Sequence, residues 1–174
     1  MSADTERRCA SADEIAYALT RPQGPFPYRR YVCVPNVSWG LDLAGEADVV
    51  ALSGSGYLTE IEIKISVADF RRDAGKRKHR LPNGSAHGLV SAFYYAMPDT
   101  IWPKIEAEFP PHAGLILVDD EYRARVVIKA PARACRKLRD DEREQLGRLG
   151  TMRYWTRLNH GQWTARPAEQ RERE

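Results

Sequence analysis

The stretch from Tyr57 to Ile65 constrains this chain more than any other, because its second half alternates strictly between apolar and charged residues. Successive side chains of an extended strand face opposite ways, so Ile61, Ile63 and Ile65 share one side and Glu60, Glu62 and Lys64 the other. The isoleucine row needs a packed layer beneath it. Immediately upstream, Ser53-Gly54-Ser55-Gly56 reads as a hairpin turn, which predicts that the run Ala47 to Leu52 is the partner strand. Tyr31 to Val34 reads as a further strand, reached through the turn-like stretch Pro35 to Gly45.

Elements on either side follow from capping and punctuation. Ser11 and Glu14 have the spacing of a capping box, and Ile15, Ala18 and Leu19 then fall on one helical face until Pro22, Gly24, Pro25 and Pro27 end the element. Ser66 and Asp69 repeat that spacing directly after the alternating strand, so a helix should leave it at once, with Phe70 inward and the arginines outward. Beyond the turn Pro82-Asn83-Gly84, Ala92 to Met97 reads as a buried strand, Thr100 to Phe109 as a helix with Pro103 in its first turn, and Gly114 to Val118 as a second buried strand. A hairpin through Asp119 to Tyr122 leads to a strand from Arg123 to Lys129. A charged helix is predicted from Ala134 to Leu149, where intrahelical ion pairs account for the mixed charges. Met152 to Trp163 stays open between strand and loop, and the polar tail is expected to be disordered. The order of elements predicts an α/β fold with a mixed central sheet flanked by helices, as one domain over 1–163 with a charged tail over 164–174.

With 174 residues the chain can bury one sizeable core. It shows no signal-like N-terminus and no apolar run long enough to span a bilayer, and its three cysteines are scattered, so a cytoplasmic protein with no membrane partner is expected. A net charge of +3 does not require a polyanionic partner. The distribution is more telling. Arg71, Arg72, Lys76, Arg77, Lys78 and Arg80 crowd into ten residues with Asp73 as the single opposing acid; a solvated helix face is the usual meaning of a charge run, but six cations against one acid exceed what solubility needs and favour contact with a phosphate backbone.

Hydrolysis of a phosphodiester needs hard oxygen ligands for magnesium or manganese, an activated water and positive charge near phosphorus. Asp48 on one hairpin strand and Glu62 with Lys64 on the next can supply these parts: both carboxylates and the Ile63 carbonyl as metal ligands, Lys64 beside the water or the phosphate. The plain alternative is a solvated strand face with an ordinary Glu-x-Lys charge pattern. Glu60 shares the face and could touch a second metal or be simply solvated. Glu14 could approach from the first helix, although capping already explains it.

The ordered runs Glu46-Ala47-Asp48-Val49-Val50, Glu62-Ile63-Lys64 and Ala68-Asp69-Phe70-Arg71-Arg72-Asp73 resemble the PD-(D/E)XK nuclease superfamily, and especially its MmcB-like DNA-repair branch. Phe93 to Pro98 and Ala113 to Asp119 resemble that branch's next two core strands, so the likeness covers about Tyr31 to Arg133. It implies a restriction-endonuclease-like core with acids gathered at a strand end, Asp48 and Glu62 as metal ligands, and Lys64 as the catalytic lysine. Lys78, His79 and Arg80 stand where the branch usually places aromatic residues, which leaves the substrate open.

The leading expectation is a metal-dependent nuclease acting on DNA in repair, recombination or phage DNA processing, with RNA and a homo-oligomer left open. The alternatives are a non-catalytic nucleic-acid-binding module and a protein-interaction factor, for example a phage-encoded inhibitor. Trp39, Tyr57, Trp102, Trp155 and Trp163 could stack on bases but read more simply as core, and the four histidines share no metal-ligand spacing.

Overall fold

The computed structural model describes residues 11–43, 45–73 and 88–164. Helix α1 (Ala12–Thr20) is followed by strands β1 (Tyr31–Val37), β2 (Ala47–Ser53) and β3 (Leu58–Ile63), then helix α2 (Val67–Asp73). Strands β4 (Val90–Pro98), β5 (Gly114–Val118) and β6 (Ala124–Ile128) come next, and the long helix α3 (Asp140–Thr164) closes the described chain. The strands form one six-stranded sheet in sequence order. Outer neighbours pair antiparallel, whereas β3–β4 and β4–β5 are parallel, so the sheet is mixed with a parallel centre. With helices on both faces, this is an α/β fold consistent with a restriction-endonuclease-like core.

One face of the sheet carries Val49, Ala51, Ile61, Ile63, Ala96 and Ile116, sealed by Ile15, Ala18 and Leu19 of α1. The predicted capping box starts that helix: the Glu14 amide donates to Ser11 Oγ at 3.3 Å, and the Ser11 amide donates back to Glu14 Oε2 at 2.8 Å. The opposite face is covered in two parts. Leu146 and Leu149 of α3 pack on Val34, Val50 and Leu58, while Phe70 of α2 joins Phe93, Tyr95, Ile105 and Leu115. The β2–β3 turn closes with Gly56 at φ +92°, a left-handed conformation that glycine adopts without steric cost.

Two elements differ from the sequence-based expectation. Thr100 to Phe109 is not one helix but two 3₁₀ turns, Trp102–Lys104 and Glu106–Glu108, because Ile105 between them sits at φ −130° and breaks the winding. Buried Ile101 and Ile105 anchor the segment, and Pro110-Pro111 stops it. The second difference concerns α3. Residues up to Arg139 run without regular structure, bonded by Arg136 N–H to the Gly88 carbonyl and Leu138 N–H to the Gly56 carbonyl; the helix then continues through Met152 to Trp163, where neither strand nor loop forms. In that second half the apolar residues Met152, Tyr154, Trp155 and Leu158 lie on the exposed side, so the inward periodicity that marks a packed helix is missing from the sequence. The tail over 165–174 lies outside the described residues.

Glu142 fixes where α3 begins. Its carboxylate accepts from Arg136 at 2.6 and 2.7 Å and from the Arg139 amide at 2.8 Å. Arg136 first, then the Arg139 amide, bring its pKa down from 4.5 to about 2 against the opposing effect of burial. A carboxylate depressed in the folded state contributes stability that is complete above about pH 4.5 and is lost as pH falls through about 2. Glu142→Gln is therefore expected to cost about 2 kcal/mol near neutral pH, discounted for the half-exposed Arg136, and to flatten the acid limb of stability in urea titrations run at successive pH values. An acid limb identical to that of the parent protein would contradict this.

Candidate functional site

The β2–β3 pairing sets the geometry. Val49 pairs with Ile61, so one step further Asp48 comes opposite Glu62 on the same face of the sheet. Asp48 is half-buried and its Oδ2 accepts a 2.7 Å hydrogen bond from the Ile63 amide, which fixes the carboxylate at the end of the strand pair. The Lys64 amide donates to the Ala96 carbonyl at 2.9 Å, extending the contact with β4 by one residue. Lys64 Nζ lies 3.2 Å from Glu62 Oε2 and 5.9 Å from the centroid of the Tyr95 ring.

Glu60, Glu62 and Lys64 are only 3%, 1% and 3% exposed. The charged side of β3 is therefore not a solvated face, and Glu60 is not the solvated residue that its type suggested. An ion pair this deep carries a large desolvation cost and is retained only with close partners. Phe70, Phe93, Tyr95 and Phe109 form an edge-on and stacked aromatic group on this face, which keeps water from its inner side. At the other end of the charged row, burial lowers the pKa of Arg133 and the Glu60 carboxylate opposes that shift. Arg133 also lies over the Phe93 ring at 5.3 Å and donates to the His112 carbonyl at 3.1 Å.

Asp48, Glu62 and Lys64 open onto one cavity of about 270 Å³, whose other walls include Asp13 of α1, Asn36 of β1 and Asp69 of α2. Asp13, Asn36 and Asp69 were not singled out for this role by the sequence. Asp69 had a partial signal in its capping-box spacing, and its amide does donate to Ser66 Oγ at 3.1 Å. Asn36 adopts φ +52°, a left-handed conformation that asparagine tolerates better than most residues. Glu14 lies away from this cavity: Oε1 accepts from the Tyr122 hydroxyl at 3.0 Å while Oε2 serves the cap. Helical rotation of one residue brings Asp13 to the cavity instead.

The basic cluster is described only at its start. Arg71 and Arg72 are exposed as expected, but Arg71 forms a forked pair with Glu108, with a shortest contact of 2.6 Å, and Arg72 reaches Asp69 at 3.3 Å. Lys76, Arg77, Lys78 and Arg80 lie outside the described residues. Among the aromatic candidates, Trp39, Tyr57 and Trp155 are exposed, not core, at 50%, 39% and 56%. No group of three or more His, Cys, Asp or Glu among the described residues is gathered as a metal centre. No helix among the described residues is long and apolar enough to cross a membrane.

A family model described as DNA repair protein MmcB-like matches residues 14–165, from α1 to beyond the described end of α3. The chain belongs to the MmcB-like family. The family's description is of DNA repair proteins, and the match takes in both strands of the Asp48–Glu62 pair, the helix after them and all of the sheet. The fold is also similar to that of the SPO1766 protein of unknown function from Silicibacter pomeroyi, with 24% sequence identity and a TM-score of 0.51 over 75% of this chain and 79% of that one. No curated protein matches the chain.

Proposed function

We propose that this MmcB-like protein is a nuclease of the PD-(D/E)XK type, which hydrolyses phosphodiester bonds in DNA at the cavity shared by Asp48, Glu62 and Lys64. The observation that carries the reading is the convergence of two carboxylates from paired strands with a lysine ammonium 3.2 Å from one of them, at a single opening. Membership of a DNA repair family supports DNA as the substrate.

The donors at this opening are all oxygens, which suits a hard cation. Magnesium commonly takes one or two protein carboxylates and keeps several waters, so Asp48, Glu62 and the Ile63 carbonyl would suffice to hold it without a third acid. When bound, such an ion polarises a phosphoryl oxygen and acidifies a bound water. The protein's own groups do the rest. The hydrogen bond from the Ile63 amide holds the Asp48 carboxylate in one orientation. Lys64, steadied between Glu62 and the Tyr95 ring, places a cation where negative charge develops on phosphorus.

The purified full chain, mixed with plasmid, single-stranded and branched DNA in magnesium or manganese, is expected to cleave at least one of them and to stop on chelation. Absence of cleavage on all three, or cleavage indifferent to chelator, rejects the reading. The near-complete burial of Glu62 and Lys64 favours a second reading, in which their ion pair is structural and the protein binds DNA without cutting it. That version predicts salt-sensitive binding that survives loss of Asp48, with no products.

A further inference from the structure

Beside the site cavity runs a second, larger depression of about 940 Å³, bounded by α1 on one side and the C-terminal half of α3 on the other. The two share Asp13, Ala16, Pro35 and Asn36 as walls, so the groove is continuous with the opening that holds Asp48, Glu62 and Lys64. It exists because α3 outruns the sheet. Leu146 and Leu149 pack on the sheet, Gly150 passes Val34 so closely that an added Cβ would meet it at 3.3 Å, and the helix then continues past the β1 edge towards α1. Arg153 and Arg157 follow at helical spacing on that inward side. Arg153 donates to the Asn36 carbonyl at 2.6 Å, and Arg157 lies 3.6 Å from Asp13.

The groove's chemistry is aromatic and basic. Tyr17 and Tyr28 line it with 63% and 58% of their surface exposed, so much of each aromatic side chain faces solvent in the groove. Exposed Arg29 and Arg30 follow Tyr28, and from Gln145 to Thr164 the chain carries Arg148, Arg153 and Arg157 with no acidic residue. The two acids on the wall are already engaged: Glu14 with the Tyr122 hydroxyl and the α1 cap, Asp13 with Arg157. The Asp13–Arg157 pair is exposed on both sides, 77% and 79%, so it is weakly held and gives way readily to a phosphate. Bare rings flanked by guanidinium groups in a groove of bounded width are what an unpaired strand requires, because each base offers a face for stacking and the backbone follows the cations. A duplex keeps its base faces stacked on one another and has no use for the tyrosines.

We propose that the groove between α1 and the C-terminal half of α3 binds a single strand of nucleic acid and leads it to the Asp48–Glu62–Lys64 cavity. Tyr17 and Tyr28 stack on bases, and Arg157 takes a phosphate in exchange for Asp13. That the cavity is the reacting end rests on the proposed nuclease function; the binding itself does not.

The test is fluorescence anisotropy of the full chain in chelator, with a short labelled single-stranded oligodeoxynucleotide and its duplex, across about 50 to 200 mM salt. Arg157→Ala is expected to weaken single-strand binding and to reduce the slope of log affinity against log salt by about 0.7, the value for one phosphate contact on a single strand. Tyr17→Ala with Tyr28→Ala is expected to cost about tenfold or more, with the duplex little affected. Asp13→Asn, which releases Arg157, should tighten single-strand binding. Circular dichroism melts check that each variant folds, and should the tyrosine variant fail to fold, the opposite effects of Arg157→Ala and Asp13→Asn still decide. Single-strand affinity unchanged in both of these, or an equal loss for duplex and single strand, overturns the proposal. Because no metal is present, retained groove binding without any cleavage elsewhere would reject the nuclease reading alone, and cleavage with no groove effect would reject this one alone.

Discussion

Asp48→Asn is expected to lower metal-dependent DNA cleavage by about a hundred- to a thousandfold, because weakening a ligand of the ion removes the positive charge that offsets negative charge developing on phosphorus. Asparagine keeps the shape of the side chain and can still accept the Ile63 amide bond that Asp48 accepts at 2.7 Å, so the fold should survive. What it loses is the negative charge. Initial rates on labelled DNA would show the loss, and the magnesium or manganese concentration giving half-maximal activity should rise at the same time. A purely structural Asp48 would leave that metal requirement where it was. Lys64→Ala, assayed well below its lowered melting temperature so that the protein is folded, should cause a comparable fall in rate without that change in metal requirement, since its proposed role is at the phosphate. Activity that persists unchanged in both variants would belong to something other than this site.

Lys64→Met is expected to be among the most destabilising substitutions in the protein. The Glu62 carboxylate is 1% exposed, and the ammonium 3.2 Å away is its close cationic neighbour. Removing one partner of a buried pair costs about 3–5 kcal/mol, because the remaining charge keeps its desolvation cost without the compensating attraction. For a chain of this size that is on the order of 10 °C in melting temperature. Replacing both residues, Glu62→Gln together with Lys64→Met, removes both charges of the pair and should recover most of the loss; thermal melts of the single and double variants give the coupling directly. A neutral single variant would mean that Lys64 and Glu62 do not depend on each other in the folded protein. The double variant, folded yet unable to cut, would also separate the pair's contribution to stability from its contribution to catalysis.

Much of this architecture was legible because it is written in local patterns. Alternation along Glu60 to Ile65 and the Ser-Gly turn before it gave the β2–β3 hairpin, and the hairpin's register is what brings Asp48 opposite Glu62. The Ser11–Glu14 box gave α1, and the apolar runs before Pro98 and Asp119 gave β4 and β5. Where reading failed, the deciding contacts were remote. The turns around Ile105 depend on a buried anchor and on prolines that a helical pattern ignores, and the second half of α3 faces a groove with arginines where a packed helix would face a core with leucines.

The sequence by itself determined which residues share a side of each strand, because side-chain direction follows from backbone geometry with a period of two, and from this the candidate residues could be named. Only the tertiary structure decided that the charged side is shut away from water. Burial depends on what lands on a face, and here that is Phe70 from α2 and Tyr95 from β4, placed by sheet order and not by any neighbour of Glu62 in the chain. The same reason explains why Asp13 and not Glu14 reaches the cavity, and why α3, whose far end meets α1 across 144 residues of sequence at the Asp13–Arg157 contact, turns a rim into a groove.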